Sequence, residues 1–227
     1  MAGLLSKEYA RERAKLINPA SANCDVGPGL PPSGDTTYLS VVDRDGNIVS
    51  LIQSNASGFG SSVTVHGMGF PLQNRGVGFS FDPAHPNALA PRKRPFHTII
   101  PAFMERGDIH MGFGIMGGFN QPLAHAQFVS NIADYGMNIQ QAVENARFTV
   151  GAKAGAGCEI LIESRVKPDV LDRLSAMGHK LDIRKEYSAN MGRGQAVIHD
   201  AKTNLNYGAS DARADGYAAP EPPPYPW

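Results

Sequence analysis

Few residues in this sequence have the type and placement to do chemistry, and the first of them is a threonine. Thr36 follows a stretch, Asn18 to Asp35, that holds Pro19, Pro28, Pro31 and Pro32 and ends in Ser33-Gly34-Asp35. No hydrophobic period survives there, so it reads as an exposed loop, the kind of backbone where cleavage concentrates. A threonine hydroxyl within a chain is a poor nucleophile. At a new N-terminus its own α-amine, with a pKa of about 7.7–8.0, is partly neutral at physiological pH and can take the hydroxyl proton. Read from its neighbours alone, Thr36 is a threonine at the start of a strand. Ser54, likewise, is a polar residue at a strand end.

A second group is Gly117-Gly118, placed between a strand and a helix. Backbone N–H groups there can point at a developing oxyanion, assisted by the helix N-terminus, although a lone Gly-Gly also reads as a turn. The histidines offer less. The seven His form no metal-binding pair. His85 lies in the turn Asp82-Pro83-Ala84-His85-Pro86, and His125 lies on a helix beside Gln121 and Gln127. With an amine base available both are read as structural. Cys24 and Cys158 sit in no metal-ligand spacing, and a disulfide between them stays open. No metal and no cofactor are expected.

These residues need elements to position them. Ser6 can cap a helix running to about Ile17. Tyr38–Val42 and Ile48–Ile52 flank an Asp-Gly turn and predict a β-hairpin. Both are nearly continuous apolar runs, so both faces are expected to be covered. Residues 56–95 are rich in Gly and Pro, with strand-like pieces at 63–65 and 70–72. A second hairpin is expected from 98–104 and 109–115. Helices are expected over 121–135, closed by Gly136, and over 139–146. Beyond them come a strand at 160–162, a helix at 169–177 stopped by Gly178, and strands at 181–183, 196–198 and 204–207. The tail, residues 218–227, carries five prolines and reads as extended. This order predicts an α+β layered fold, with sheets covered by helices.

Composition sets the outer bounds. The chain has 227 residues, 42% hydrophobic and 19% charged, as in an ordinary globular protein of about one domain. Lys+Arg and Asp+Glu number 21 each, and the resulting zero net charge argues against nucleic acid or an anionic membrane as partner. No apolar run reaches the roughly 18–20 residues of a membrane helix. The first residues lack the apolar core of a signal peptide. A cytoplasmic location is the default, with a periplasmic or secreted one open if a longer precursor carries a signal.

One stretch reaches further. Asp35-Thr36-Thr37-Tyr38-Leu39-Ser40-Val41-Val42-Asp43-Arg44-Asp45-Gly46-Asn47-Ile48-Val49-Ser50 resembles the start of the small subunit of γ-glutamyltransferases. Further matches follow in order at Leu72-Gln73-Asn74-Arg75, Pro91-Arg92-Lys93-Arg94-Pro95, Gly114-Ile115-Met116-Gly117-Gly118, Asp134-Tyr135-Gly136-Met137-Asn138 and Tyr207-Gly208-Ala209-Ser210-Asp211. The resemblance implies a four-layer αββα sandwich of the N-terminal-nucleophile hydrolases. Residues 1–35 would be the end of a large-subunit region and its linker, 36–217 the catalytic domain and 218–227 a tail. It further implies autocatalytic cleavage between Asp35 and Thr36, with Thr36 then attacking a γ-glutamyl amide and passing the acyl group to water or an amine. Ser54 would hydrogen-bond the nucleophile, and Gly117 and Gly118 would form the oxyanion hole. Asn74, Arg75, His97 and Thr98 would contact the substrate.

Two positions depart from the family pattern. Gly78 stands where the family has an acidic anchor for the substrate amino group, and His97-Thr98 replaces a Ser-Ser pair. Both favour a shifted acyl specificity, of the glutaryl or cephalosporin acylase type, as an alternative. An inactive subunit or interaction module is the other alternative. The implied partners are the acyl amide substrate and a large-subunit region, of the same precursor or a separate chain, and a homo-oligomer is left open.

Overall fold

The structure, a computed structural model, describes residues 6–15, 17–22, 36–150 and 159–220. Asp35, both cysteines, most of the 18–35 loop and the end of the Pro-rich tail lie outside the described residues. The elements in chain order are α1 (Lys7–Ala14), β1 (Thr36–Val42), β2 (Ile48–Ser54), β3 (Ala102–Arg106), β4 (Ile109–Met116), α2 (Gln121–Ala133) and α3 (Ile139–Glu144). They continue with β5 (Phe148–Val150), β6 (Glu159–Glu163), α4 (Pro168–Ala176), β7 (Lys180–Arg184), β8 (Arg193–Asp200) and β9 (Leu205–Ser210). The chain forms two compact units, Ser33–Asn145 with Ala189–Trp227, and Met1–Pro32 with Ala146–Ser188. No helix among the described residues is long and apolar enough to cross a membrane.

In the first unit, β1 and β2 pair antiparallel with Thr36 opposite Ser54 and Val42 opposite Ile48. Their turn is tied by one carboxylate: Asp43 Oδ1 accepts from the N–H groups of Asp45 and Asn47, each at 2.9 Å, and Oδ2 accepts from the Asn47 side chain. Beneath this ribbon lies a four-stranded sheet in the order β3-β4-β8-β9. Because side chains alternate along a strand, β4 serves two layers. Met111, Phe113 and Ile115 point into the hydrophobic core with Phe128 of α2 and Val143 of α3. Gly112 and Gly114 face the other way, under Ile48 and Tyr38, where a Cβ would collide with those side chains. Glycine here lets the two sheets approach.

Helices α2 and α3 cover the far side of the sheet. Pro122 stands in the first turn of α2, where its missing N–H costs no hydrogen bond. Gly136, at φ 65°, allows the chain to turn back after it. A capping box between Asn138 and Gln141 starts α3. Gln140 then docks α3 on β9 by a reciprocal pair: its Nε2 donates to Ser210 O at 2.8 Å and its Oε1 accepts from Ser210 N at 3.1 Å.

A buried ion pair closes this unit. The Asp211 and Arg213 side chains are both fully buried and meet at 2.9 Å. Arg213 also donates to Val143 O at 2.9 Å, in the last turn of α3, and to Asn145 O at 2.8 Å, just beyond it. Asp211 Oδ2 accepts from Gly194 N at 2.9 Å, which fixes the start of β8.

The second unit holds α1, α4 and a three-stranded sheet in the order β5-β6-β7, with β5–β6 antiparallel and β6–β7 parallel. Its centre is Glu163, whose side chain is fully buried. The carboxylate accepts from Arg147 N at 3.0 Å, Ser188 N at 2.9 Å and Arg165 Nη2 at 3.0 Å. Arg165 in turn lies over the Tyr187 ring, 4.0 Å from its centroid.

Several expectations need correction. Residues 63–65 and 70–72 form no strands; they share a single bridge, Thr64 to Pro71. The second hairpin begins at Ala102 and not at Thr98, because Ile100 N is already bonded to the Gln121 side chain and Pro101 has no N–H to give a ladder. The short strand β5 was not foreseen. Among the described residues the β1–β2 ribbon is covered on one face only: Leu39, Val41, Val49 and Leu51 alternate with the inward set and remain 40–53% exposed. Apolar runs on both faces announce two covers, and the described residues supply one.

Candidate active site

Thr36 opens β1 with its side chain inward, and the residue is 7% exposed. Cross-strand pairing brings it to Ser54, and Thr36 Oγ1 donates to Ser54 Oγ at 3.0 Å. Ser54 Oγ also accepts from Ala56 N at 2.9 Å. Ala56 presents that N–H from a left-handed conformation, φ 76°, which is strained for a residue with a Cβ.

The depth of Thr36 is set by contacts that the sequence alone does not reveal. Ser50 Oγ donates to Ala102 O at 3.0 Å, so the 2.7 Å contact between Tyr38 and Ser50 is a bond donated by the phenol. Burial pushes the Tyr38 hydroxyl above its ordinary pKa, more than its bonds to Ser50 and Ser40 lower it, and it stays a neutral donor. Ile48 sits over Gly112 and Tyr38 over Gly114. Moving along β1 from Val42 toward Thr36 therefore runs along β4 from Gly112 toward Met116. Thr36, two residues beyond Tyr38, thus lies on the side of Gly114 toward which β4 runs before Gly117-Gly118.

At that turn Gly118 has φ 58°, and Gly117 N and Gly118 N bond to no group among the described residues. These two N–H groups precede α2, where the helix dipole favours negative charge. The turn is held from behind by Gly192. A Cβ on Gly117 would stand 3.1 Å from Gly192 Cα, and one on Gly192 would stand 2.5 Å from Met116 O. His125 belongs to the same scaffold: its Nε2 accepts from Ile115 N at 2.9 Å, so the ring is a neutral acceptor that steadies β4. His85 likewise accepts, from Asn87 N at 3.0 Å, within its turn.

The substrate-contact candidates fall into one cluster with an outlier. Asn74 N donates to Asn55 O at 3.1 Å and its Oδ1 accepts from Ser57 N at 3.2 Å, tying this segment to the residues after Ser54. Arg75 begins a short helical turn, Arg75–Gly78, and its Nη1 donates to Thr98 Oγ1 at 3.2 Å. Burial lowers the Arg75 pKa from its ordinary value, yet the group stays a cation. The segment carrying Thr98 is anchored beside the glycine turn. Phe96 stacks on Phe119 with centroids 5.9 Å apart, and Ile100 N donates to Gln121 Oε1 at 3.1 Å. His97 is exposed. Among the described residues, no group of three or more His, Cys, Asp or Glu is placed to hold a metal ion.

Sequence reasoning named Thr36, Ser54, Gly117, Gly118, Asn74, Arg75, His97 and Thr98, and did not single out Tyr38, Ser50, Gly192, Gln121 or the Asp211–Arg213 pair. The one usable signal was the match at Tyr207–Asp211, whose last residue is the buried carboxylate.

The family profile described as Gamma-glutamyltranspeptidase matches residues 1–221. The glutathione hydrolase-like YwrD proenzyme of Bacillus subtilis (strain 168) is 38% identical over 217 residues, 95% of this chain and 41% of that protein. The oxamate amidohydrolase proenzyme of Klebsiella pneumoniae is 38% identical over 218 residues, again 95% of this chain and 41% of the relative. The crystal structure of cephalosporin acylase from Bacillus halodurans superposes with a TM-score of 0.80 at 40% identity, covering 96% of this chain and 39% of that one. This chain thus spans about two fifths of the length of the relatives it matches.

Proposed function

The chain belongs to the gamma-glutamyltranspeptidase family, and from that premise we propose that Thr36 is the nucleophile of a γ-glutamyltransferase-like amide hydrolase or acyltransferase. The observation that carries this is the 3.0 Å bond from the Thr36 hydroxyl to Ser54, made at the start of β1. The bond aims the hydroxyl proton at Ser54 and leaves the lone pairs of Oγ1 for attack.

The chemistry has two stages. In the first, Thr36 Oγ1 attacks the Asp35 carbonyl, the hydroxyl proton passes to the departing nitrogen as the Asp35–Thr36 C–N bond breaks, and water hydrolyses the resulting ester to free the Thr36 hydroxyl and the Asp35 carboxylate. In the second, the freed α-amine takes the hydroxyl proton as Oγ1 attacks the acyl carbon of a γ-glutamyl amide. The oxyanion of the tetrahedral intermediate accepts from Gly117 N and Gly118 N, the amine departs with a proton, and water or a second amine resolves the acyl-enzyme. Asn74, Arg75, Thr98 and the exposed His97 contact the acyl group. No cofactor enters any step.

The proenzyme names of the relatives support self-cleavage, and the length they add supports a large-subunit region as partner. The bare apolar face of β1 and β2 supports the same partner, as the place for the outer helical layer of the αββα sandwich. A second reading, an acylase of the same superfamily, is favoured by the 40% identity to cephalosporin acylase and by Gly78.

Intact mass spectrometry of the chain, produced together with the large-subunit region, tests the reading. A new species beginning at Thr36, absent in Thr36→Ala, is expected. An uncut chain under those conditions would instead mark an inactive subunit.

A further inference from the structure

Resting on Thr36 as the nucleophile and on the Gly117-Gly118 turn as its oxyanion donor, we infer that Gln121 and His125 are positioning residues, two acceptors on one face of α2 that set the turn by holding β3 and β4 apart beside it. The two residues stand one helical turn apart and so share a face. Both are buried, Gln121 fully and His125 to 8% exposure. Each captures a backbone N–H from outside the helix. Gln121 Oε1 accepts from Ile100 N at 3.1 Å, and His125 Nε2 accepts from Ile115 N at 2.9 Å.

Those two N–H groups come from matched places. The pairing of β3 with β4 ends at Ala102 opposite Phe113, and the same register carried two residues further would set Ile100 opposite Ile115. The ladder stops short of that pair, and α2 takes the N–H of each. An apolar residue at either helix position would leave a buried donor without an acceptor. Gln121 is held there by its oxygen alone: its Nε2 is buried and bonds to no group among the described residues, a cost that an apolar side chain of the same size would avoid. The His125 ring packs on Phe113, centroids 5.3 Å apart, with Nε2 turned to the strand. The catalytic turn hangs between these anchors. Ile115 lies two residues before Gly117, and Gln121 three after Gly118. Glycines hold no conformation by themselves, so the fixed ends decide where the two N–H groups point. The rate depends on that aim, since a displacement of about 1 Å costs on the order of a hundredfold.

The test uses the processed enzyme assembled with its large-subunit region, and whichever of γ-glutamyl and glutaryl p-nitroanilide the parent cleaves faster. A boronic acid on the same acyl chain reports on the turn. A B–O bond forms from Thr36 Oγ1, the hydroxyl proton passes to the α-amine, and a boron-bound oxygen takes the oxyanion's place. Gln121→Met and His125→Phe remove the acceptors at similar volume. Each should lower kcat about tenfold or more with KM changed less than about threefold, and weaken the boronate by the same factor as kcat. His125→Gln, which returns an acceptor oxygen, should recover most of the lost kcat. Circular dichroism and intact mass confirm that each variant is folded and begins at Thr36. Where one fails to fold, the other decides; failure of both marks them as supports of the fold and overturns the inference. A kcat within about twofold of the parent, or a loss confined to KM, also overturns it and leaves the role of Thr36 standing. If the parent begins at Thr36 and cleaves neither anilide, the acyl-transfer reading falls, and the positioning role with it.

Discussion

Replacing Arg213 by Met should cost the chain about 3–5 kcal/mol, the range for breaking one side of a buried ion pair. The figure follows from what stays behind. The Asp211 carboxylate keeps the N–H groups of Gly194 and Arg213 but loses the guanidinium 2.9 Å away, at a site where both side chains are fully buried. Val143 O and Asn145 O each lose the bond from Arg213 at the same stroke. For a chain of this size each kcal/mol moves the melting temperature by about 2–4 °C, so a fall of roughly 6–20 °C is expected. Asp211→Asn should cost a comparable amount, because it strands the cation. The double variant Asp211→Asn/Arg213→Met removes both charges and should cost less than the sum of the singles by about 2–3 kcal/mol. Urea unfolding followed by circular dichroism gives all four corners of this cycle. Hydrogen exchange should show the Gly194 amide losing protection in both singles. Additive effects, or singles costing under about 1 kcal/mol, would refute the idea that this pair clasps α3 to the start of β8.

Two further outcomes are expected. Ser54→Ala removes the acceptor of the Thr36 hydroxyl and should lower kcat about 5- to 30-fold, the equivalent of roughly 1–2 kcal/mol, with KM little changed; a kcat within twofold of the parent in steady-state assays would count against the bond's role. Asp43, held below the usual carboxylate range first by the Asn47 side chain and then by backbone N–H groups, stabilises the hairpin turn when ionised. Its folded pKa lies below its unfolded one, so that contribution is complete above about pH 4 and is lost as pH falls through the folded value. Acid titration of Asp43→Asn should show a shallower loss of stability below about pH 4 than the parent, and parallel curves would sink the assignment.

Much of the site was legible because it is local. Thr36, Ser54 and the Asp-Gly turn lie on one hairpin, and two-residue periodicity with turn chemistry determines which residues face each other. The Gly117-Gly118 turn was legible from its place between a strand and a helix. What escaped depends on residues distant in the chain. Gly192 matters through its approach to Met116 and Gly117, and Asp211 through Gly194 and Arg213, pairings that no local pattern encodes. The false strands at 63–65 and 70–72 have strand-forming residues and no neighbouring strand beyond one bridge. The face of β1 and β2 that the described residues leave exposed escaped for another reason: an apolar pattern states that a face will be covered without naming the cover.

The packing of Tyr38 over Gly114 also acts on the fidelity of folding. Thr36 and Thr37 are adjacent and carry the same hydroxyl, so the hairpin could present either one. A one-residue slip of β1 would turn Thr37 inward and expose Thr36. The same slip would bring Leu39 over Gly114 in place of Tyr38 and abolish the phenol's bond to Ser50. Under the proposed cleavage, a cut made in that register would fall after Thr36 and yield a chain one residue shorter. The glycine beneath the tyrosine ring therefore favours the register in which Thr36, and not Thr37, faces inward, and under that proposal it decides which of two identical side chains follows the cut.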